Sequence, residues 1–410
     1  MSTKNQSHKK QPSVLFLNHV YPPEHGATGR VLSDVTHHLC AQDWRVGVIS
    51  LTPDGQKTKQ SLSDPNMTHY PVKFRGKARC SFGAGWAIIR LLIKAMMTPR
   101  HDVIVTMTDP PMLVSVGWLL SRLKGSRHVH WIHDLYPDLL PVLGYTTGPK
   151  TQSFFRGLSR RAMKRADKII SIGRCMTKHL KHTGIETAKI ETIPNWANQE
   201  LYNEKPDRSG ATSGDGQDTK LQADPRFRIL YAGNFSSAHA MSPLLKAIHV
   251  LNKTNPEIEF VFAGQPENFD RLIKERDKHG WSNLRFLPPQ PVKKLRALMK
   301  SGDVHLISMK TAAKGMMVPC KFYSALAAHR PCIFVGPHES EPAFVVKDTN
   351  CGLTIAPEDP QALVEAIQRF RHEPDLWFAG QEGAKKAAEL YAPVNSLKKF
   401  ETLLHKVREI

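Results

Sequence analysis

The sequence predicts two doubly wound α/β domains that face a cleft. Three observations carry this. Short apolar runs of strand length recur along the 410 residues. Most are followed by stretches with helical apolar spacing, the alternation that builds parallel sheets. A polar stretch near the middle then separates two such series, and the length suits two domains.

SVLFLNHV (13–20) reads as a buried strand, YPPEHGATGR (21–30) as a loop, and 30–41 as a helix with Val31, Leu32, Val35 and Leu39 on one face. WRVGVISL (44–51), HDVIVTMT (101–108), RHVHWI (127–132), DKIISI (167–172) and KIETIP (189–194) continue the strand series. Residues 205–225 are rich in Gly, Ser, Asp and Thr and read as linker. The second series has strands at 226–233, 258–264, 284–289, 303–309, 331–336 and 352–356. Helices are expected at 242–253, with Ser242 as N-cap, and at 360–370, opened by Pro360. A loop and an amphipathic helix end the chain from Leu390 to Ile410. The expected boundaries are a basic tail 1–12, a first domain 13–200, a linker 201–225, a second domain 226–385 and a terminal helix 386–410.

Composition narrows the function. Residues 1–200 carry 28 Lys and Arg against 13 Asp and Glu, and residues 201–410 carry 29 against 24, within a formal net charge of +20. A basic first half implies an anionic partner: a phosphate ligand, nucleic acid or an anionic membrane. Nucleic acid is disfavoured, because no helix-turn-helix, zinc-finger or RRM signature occurs. None of the six cysteines forms a C-x-x-C pair, which argues against structural zinc and a disulfide framework. The polar start lacks an apolar segment behind it and no run of 18 apolar residues exists. A cytoplasmic protein is therefore expected. Trp86 to Met97 and the run 154–168 read as basic amphipathic helices, the first with Ile88, Leu91, Leu92 and Met96 on one face and Arg90 and Lys94 on the other flank. They suit docking on the inner face of an anionic membrane, or equally a core helix with solvated basic residues.

Ligands of such sheets lie at the carboxyl ends of the strands. Four loops there are chemically loaded. In 21–30, Gly26 and Gly29 permit close backbone approach, and Arg30 adds charge beside a helix N-terminus. An ordinary turn needing positive φ is the competing reading. His133 follows the third strand of the first domain's later series and offers a hydrogen bond to a sugar hydroxyl or phosphate, although a satisfied structural histidine would look the same. Gly233, Asn234 and His239 follow the first strand of the second domain. Lys314, Pro319, Lys321 and Ser324 surround the start of an apolar helix.

The order of YPPEHGATGR, WIHDLYPD (131–138), IPNWAN (193–198), ILYAGNFSSAHAMSPLLKAI (229–248), 284–307, VPCKFYSALAAHRPCIF (318–334) and 351–367 resembles glycosyltransferase family 4 on a GT-B fold. IPNW and the VPCK block resemble its bacterial exopolysaccharide branch, of the colanic-acid type. The resemblance implies two Rossmann-like domains, with the C-terminal helix crossing back to the first. It implies sugar transfer from a UDP- or GDP-sugar to a lipid-linked or glycan acceptor, with retention and without metal or other cofactor. It places Gly26 and Gly29 against the diphosphate and sugar, and matches His133 to the histidine that contacts the donor sugar. Two departures stand out. The family's diphosphate-neutralising Arg and Lys fall on Asn234 and His239, and its Glu-x7-Glu pattern falls on Met316 and Ser324. Lys321, with Lys314, is expected to supply the missing charge, and Glu339 or Glu341 to serve the ribose. A catalytically silent scaffold is the alternative that these departures leave open.

Overall fold

The computed structural model describes residues 11–22, 26–52, 64–74, 81–145, 148–202 and 226–410. The basic tail to residue 10, Pro23–His25 of the first loop, residues 75–80 of the basic stretch and 203–225 of the expected linker lie outside the described residues.

Two all-parallel sheets account for the strands. The first has seven, in the order β3-β2-β1-β4-β5-β6-β7. These are β1 (Ser13–Leu17), β2 (Arg45–Thr52), β3 (Met67–Lys73), β4 (Val103–Thr106), β5 (Arg127–Ile132), β6 (Lys168–Ser171) and β7 (Ile190–Thr192). The second has six, β10-β9-β8-β11-β12-β13. These are β8 (Phe227–Ala232), β9 (Ile258–Ala263), β10 (Leu284–Leu287), β11 (Val304–Ser308), β12 (Cys332–Val335) and β13 (Gly352–Ile355). Central strands such as SVLFL and IEFVFA are buried along their whole length, as sheets covered on both faces require. β3 was absent from the expected strands. It is an edge strand, and Pro71, which lacks an N–H, is tolerated there.

The helices between the first strands are α1 (Ala27–Ala41), α2 (Ser81–Met96), α3 (Leu113–Lys124), α4 (Pro149–Arg165) and α5 (Arg174–His182). The second half adds α6 (Ser242–Thr254), α7 (Asp270–His279), α8 (Val292–Ser301), α9 (Lys321–Ala327), α10 (Glu341–Thr349), α11 (Pro360–His372), α12 (Pro374–Leu390) and α13 (Pro393–Glu409). Ser242 is the first residue of α6 rather than its cap. Met241 holds the cap position and no side chain caps the helix. The expected burial of α2 also needs correction. Ala87, Leu91 and Ala95 face the core, whereas Met96 points outward.

The C-terminal helix returns to the first half. Phe400 of α13 packs 4.7 Å from the ring of Trp131 and 6.2 Å from Phe16. His38 of α1 meets Glu401 at 3.0 Å, and the Ser396 hydroxyl donates to the Pro194 carbonyl. Apolar burial makes this crossing favourable, because the stripe Leu397, Phe400, Leu403, Leu404 and Val407 is buried throughout.

The strand order reverses between β1 and β4 in one sheet and between β8 and β11 in the other. The crevice outside the carboxyl ends of these strands is where such folds bind ligands. The two halves meet at the same ends. Asp134, just past β5, bridges Met317 in antiparallel fashion, and the Leu135 N–H donates to the Met316 carbonyl at 2.7 Å.

Candidate functional site

On the second half, the loop after β8 and the start of α9 converge on one ammonium. Lys321 Nζ donates to the Asn234 carbonyl at 3.0 Å and to His239 Nε2 at 2.9 Å, and it also contacts the Tyr231 hydroxyl. The charge stands 4.4 Å from the centroid of the Tyr231 ring. No carboxylate pairs with it among the described residues. Burial pushes the Lys321 amine down to about 8. A half-buried cation held by neutral groups keeps its attraction for an anion.

His239 is a neutral member of this group. Burial holds its imidazole well below the usual range, and the Lys321 charge adds to that. Its Nε2 faces the Lys321 ammonium, and its Nδ1 lies 2.9 Å from the Ser236 hydroxyl and 3.0 Å from the Ser236 backbone nitrogen. Tyr231 is fully buried at the end of β8, and its hydroxyl donates to the Asn234 carbonyl at 3.1 Å. Gly233 has φ 118°, a left-handed conformation suited to glycine, and a Cβ there would stand 3.6 Å from Lys321 Cε. A cavity of about 570 Å³ opens beside the group, and Ser236, His239, Arg271, Lys310 and Glu358 are among its lining residues. That volume suits a nucleotide-sized ligand.

On the first half, His133 follows β5 and is buried, with its ring 4.7 Å from that of Trp131. Its Nε2 has no hydrogen-bond partner. Burial pushes the imidazole down to about 3, and the Arg30 guanidinium acts in the same direction. An unpaired buried polar atom costs about 1–3 kcal/mol, which a ligand hydroxyl would recover. His128 and His130 lie deeper, within β5, and His128 also has a ring nitrogen, Nδ1, without a partner. Both meet the Thr106 hydroxyl, at 2.9 and 3.0 Å.

Gly26 and Gly29 sit at the N-terminus of α1. Gly26 has φ −179°, so positive φ does not explain it. Close approach does. A Cβ on Gly29 would stand 3.0 Å from the Val20 carbonyl oxygen, and one on Gly26 would stand 3.1 Å from Val20 Cγ1. The glycines let α1 start against the end of β1, with its free N–H groups in the crevice.

Three of the expected site residues are already paired within the protein. Arg30 donates to Asp34 at 3.1 Å and to the Trp196 carbonyl at 2.9 Å, while Trp196 Nε1 also donates to Asp34. Lys314 pairs with Glu339 at 2.9 Å. Glu341 is buried at the start of α10 and accepts from the Arg174 backbone N–H and from Arg174 Nε. Its carboxylate thus joins the halves instead of lining the pocket beside His239. Pro319 precedes α9, and Ser324 lies half-buried one turn into it. Tyr231 was missed at the sequence level, because a tyrosine inside an apolar strand gives no sign of its hydroxyl's partner.

Comparisons with known proteins agree with this geometry. Residues 28–201 match the model of Glycosyltransferase Family 4, and residues 217–388 match that of Glycosyl transferases group 1. The chain is 25% identical over 309 residues to the probable glycosyltransferase WbjE of Pseudomonas aeruginosa, covering 73% of this chain and 74% of the relative. It is 26% identical over 255 residues to the putative colanic acid biosynthesis glycosyl transferase WcaI of Escherichia coli K12, covering 61% of each. Among solved structures, Anabaena HepE in complex with UDP-glucose superposes with a TM-score of 0.71 at 15% identity, over 96% of this chain and 99% of that one. Two parallel sheets meeting at their carboxyl ends, matched half by half in this order, place the chain among the family 4 glycosyltransferases on the GT-B fold, with similarity to relatives of the bacterial exopolysaccharide type.

Proposed function

We propose that the protein moves a sugar from a UDP- or GDP-sugar to a lipid-linked or glycan acceptor in the synthesis of a bacterial surface polysaccharide, with retention and without metal. The observation that carries this reading is the Lys321 ammonium, held by Tyr231, Asn234 and His239 with no carboxylate beside it among the described residues. A leaving nucleoside diphosphate needs such a cation, because negative charge builds on it as the glycosidic bond breaks. His239 is held neutral, so Lys321 carries this duty. The α1 N-terminus, kept open by Gly26 and Gly29, adds backbone N–H groups from the other side. His133 gives its unpaired Nε2 to a hydroxyl of the donor sugar. The complex of HepE with UDP-glucose supports a nucleotide-sugar ligand for this fold.

The first half is the proposed acceptor and membrane side. No helix among the described residues is long and apolar enough to cross a membrane. Three neighbouring helices nevertheless turn apolar side chains outward: Trp86, Ile93 and the following Met97 on α2, Leu123 on α3 and Phe154 on α4, all more than half exposed. Arg90 stands 5.8 Å from the Trp86 ring, and Arg156, Arg160, Arg161, Lys164 and Arg165 lie on α4. Aromatic and aliphatic side chains among basic ones suit an anionic bilayer surface, on the cytoplasmic side of the plasma membrane.

Calorimetric titration with UDP and with GDP in EDTA tests the reading. Micromolar binding of one nucleotide, weakened at least tenfold in Lys321→Ala, is expected. Binding of neither would overturn the transferase reading and favour a silent scaffold.

A further inference from the structure

Across the crevice from Lys321, the first sheet carries a pair with no role so far. His19 follows β1 and Asp109 follows β4, the two strands between which the strand order reverses. His19 Nδ1 lies 3.0 Å from Asp109 Oδ2. The His19 N–H donates to the Asp109 carbonyl at 2.7 Å, and the His19 carbonyl accepts from the Leu51 N–H at 3.0 Å. The histidine is therefore pinned by backbone from both neighbouring strands. The two side chains are 21% and 17% exposed, so a ligand can reach them. His19 Nε2 has no partner among the described residues.

The position is that of a ligand site. The crevice outside the carboxyl ends at a strand-order reversal is where open α/β sheets bind. β5, which leads to His133, is the next strand beyond β4. Two strand spacings, roughly 10 Å, therefore separate the backbones that carry His19 and His133. His19 stands far enough from the proposed donor sugar to touch a second, neighbouring sugar.

The chemistry selects what binds. Asp109 accepts the Nδ1–H, which leaves Nε2 as the open position of the ring, a lone pair in the uncharged imidazole. That atom takes an O–H donor. A phosphate is disfavoured, because the Asp109 charge lies next to the ring. We infer that His19, oriented by Asp109, accepts a hydrogen bond from a hydroxyl of the acceptor sugar and positions it in the crevice. This rests on the glycosyl-transfer reading above. The pair makes and breaks no covalent bond. It fixes which acceptor oxygen faces the donor.

The test uses ¹⁵N spectra of the histidine rings of the full chain, with the nucleotide that binds present at saturation. Octyl β-D-glucopyranoside, kept below its micelle concentration, is the acceptor probe. The wild type is expected to show the Nδ1–H form of His19 and a saturable movement of its Nε2 resonance on adding the glucoside. In Asp109→Asn the amide donates to Nδ1 and the ring proton moves to Nε2. Glucoside binding should weaken at least tenfold there and in His19→Ala, with nucleotide affinity within twofold of wild type. A wild-type ring protonated on Nε2, no movement with the glucoside, or both variants binding it as well as wild type would each overturn the inference. The wild-type measurements decide the matter even if a variant fails to fold. Absent nucleotide binding would instead strike the transferase reading, and a saturable His19 response would then still mark a sugar site.

Discussion

The carboxylate of Glu341 accepts from both the backbone N–H and the Nε of Arg174, and so ties the start of α10 to the start of α5 across the two halves. The acid is 2% exposed, while Arg174 also reaches the open carboxylate of Asp348 at 2.6 Å. The acid also sits at the positive end of α5. Removing Arg174 leaves Glu341 buried without its cation. Arg174→Ala should cost about 3 kcal/mol and widen the angle between the halves. Asp348→Asn should cost under about 1 kcal/mol, because that pair faces solvent. Denaturant midpoints with small-angle scattering check this, and equal losses in the two variants would refute it.

Among Lys321, His239 and His133, only Lys321 titrates near neutrality, since burial holds both imidazoles far below it. The Lys321 amine is lowered to about 8, so its charge is present below that pH and lost as pH rises through it. Nucleotide affinity should therefore hold from pH 6 to 7.5 and fall about tenfold per unit well above 8. Lys321→Arg should move this fall beyond pH 10. Calorimetry across pH measures both, and a fall near pH 6 would point to a different group.

Gly29→Ala should destabilise the protein by about 1–3 kcal/mol, because the new methyl meets the Val20 backbone. Gly26→Ala meets a side-chain methyl at 3.1 Å, which has room to yield, and should cost less. Thermal melting of both variants, with nucleotide affinity measured alongside, tests the order. A larger loss at Gly26 would contradict it.

Ile93→Ser with Phe154→Ser should lower sedimentation with vesicles containing anionic phosphatidylglycerol at least fivefold, with little change in melting temperature, because both side chains are more than half exposed. Binding by wild type should weaken in high salt. Wild-type protein that ignores such vesicles would show that this face serves something else.

The strands were legible where they are buried on both sides, since SVLFL and IEFVFA read as continuous apolar runs. β3 was not, because an edge strand with Tyr70 and Pro71 half-buried has no such run. α12 was missed because it follows α11 after Glu373 alone, with no loop to separate them. In the site, Lys321 was legible as a basic residue at the start of a helix. Its partners were not, since Tyr231 lies 90 residues away in the chain. The same holds for Glu341 and Arg174, 167 apart, and for His19 and Asp109, 90 apart. Local patterning reveals which elements form, while the pairing of a charge depends on where distant elements stop.

The last helix has a consequence for anyone who recombines these enzymes. Phe400 packs tilted against Trp131, whose ring backs His133, so the last helix completes the floor beneath the first half's site. A chimaera that keeps residues 13–200 and takes its second half from a relative must retain the native Pro393–Glu409 segment as well. A graft cut at the linker alone would bring a foreign tail against Phe16 and Trp131, and would read as a failed domain swap when the fault lay in the borrowed tail.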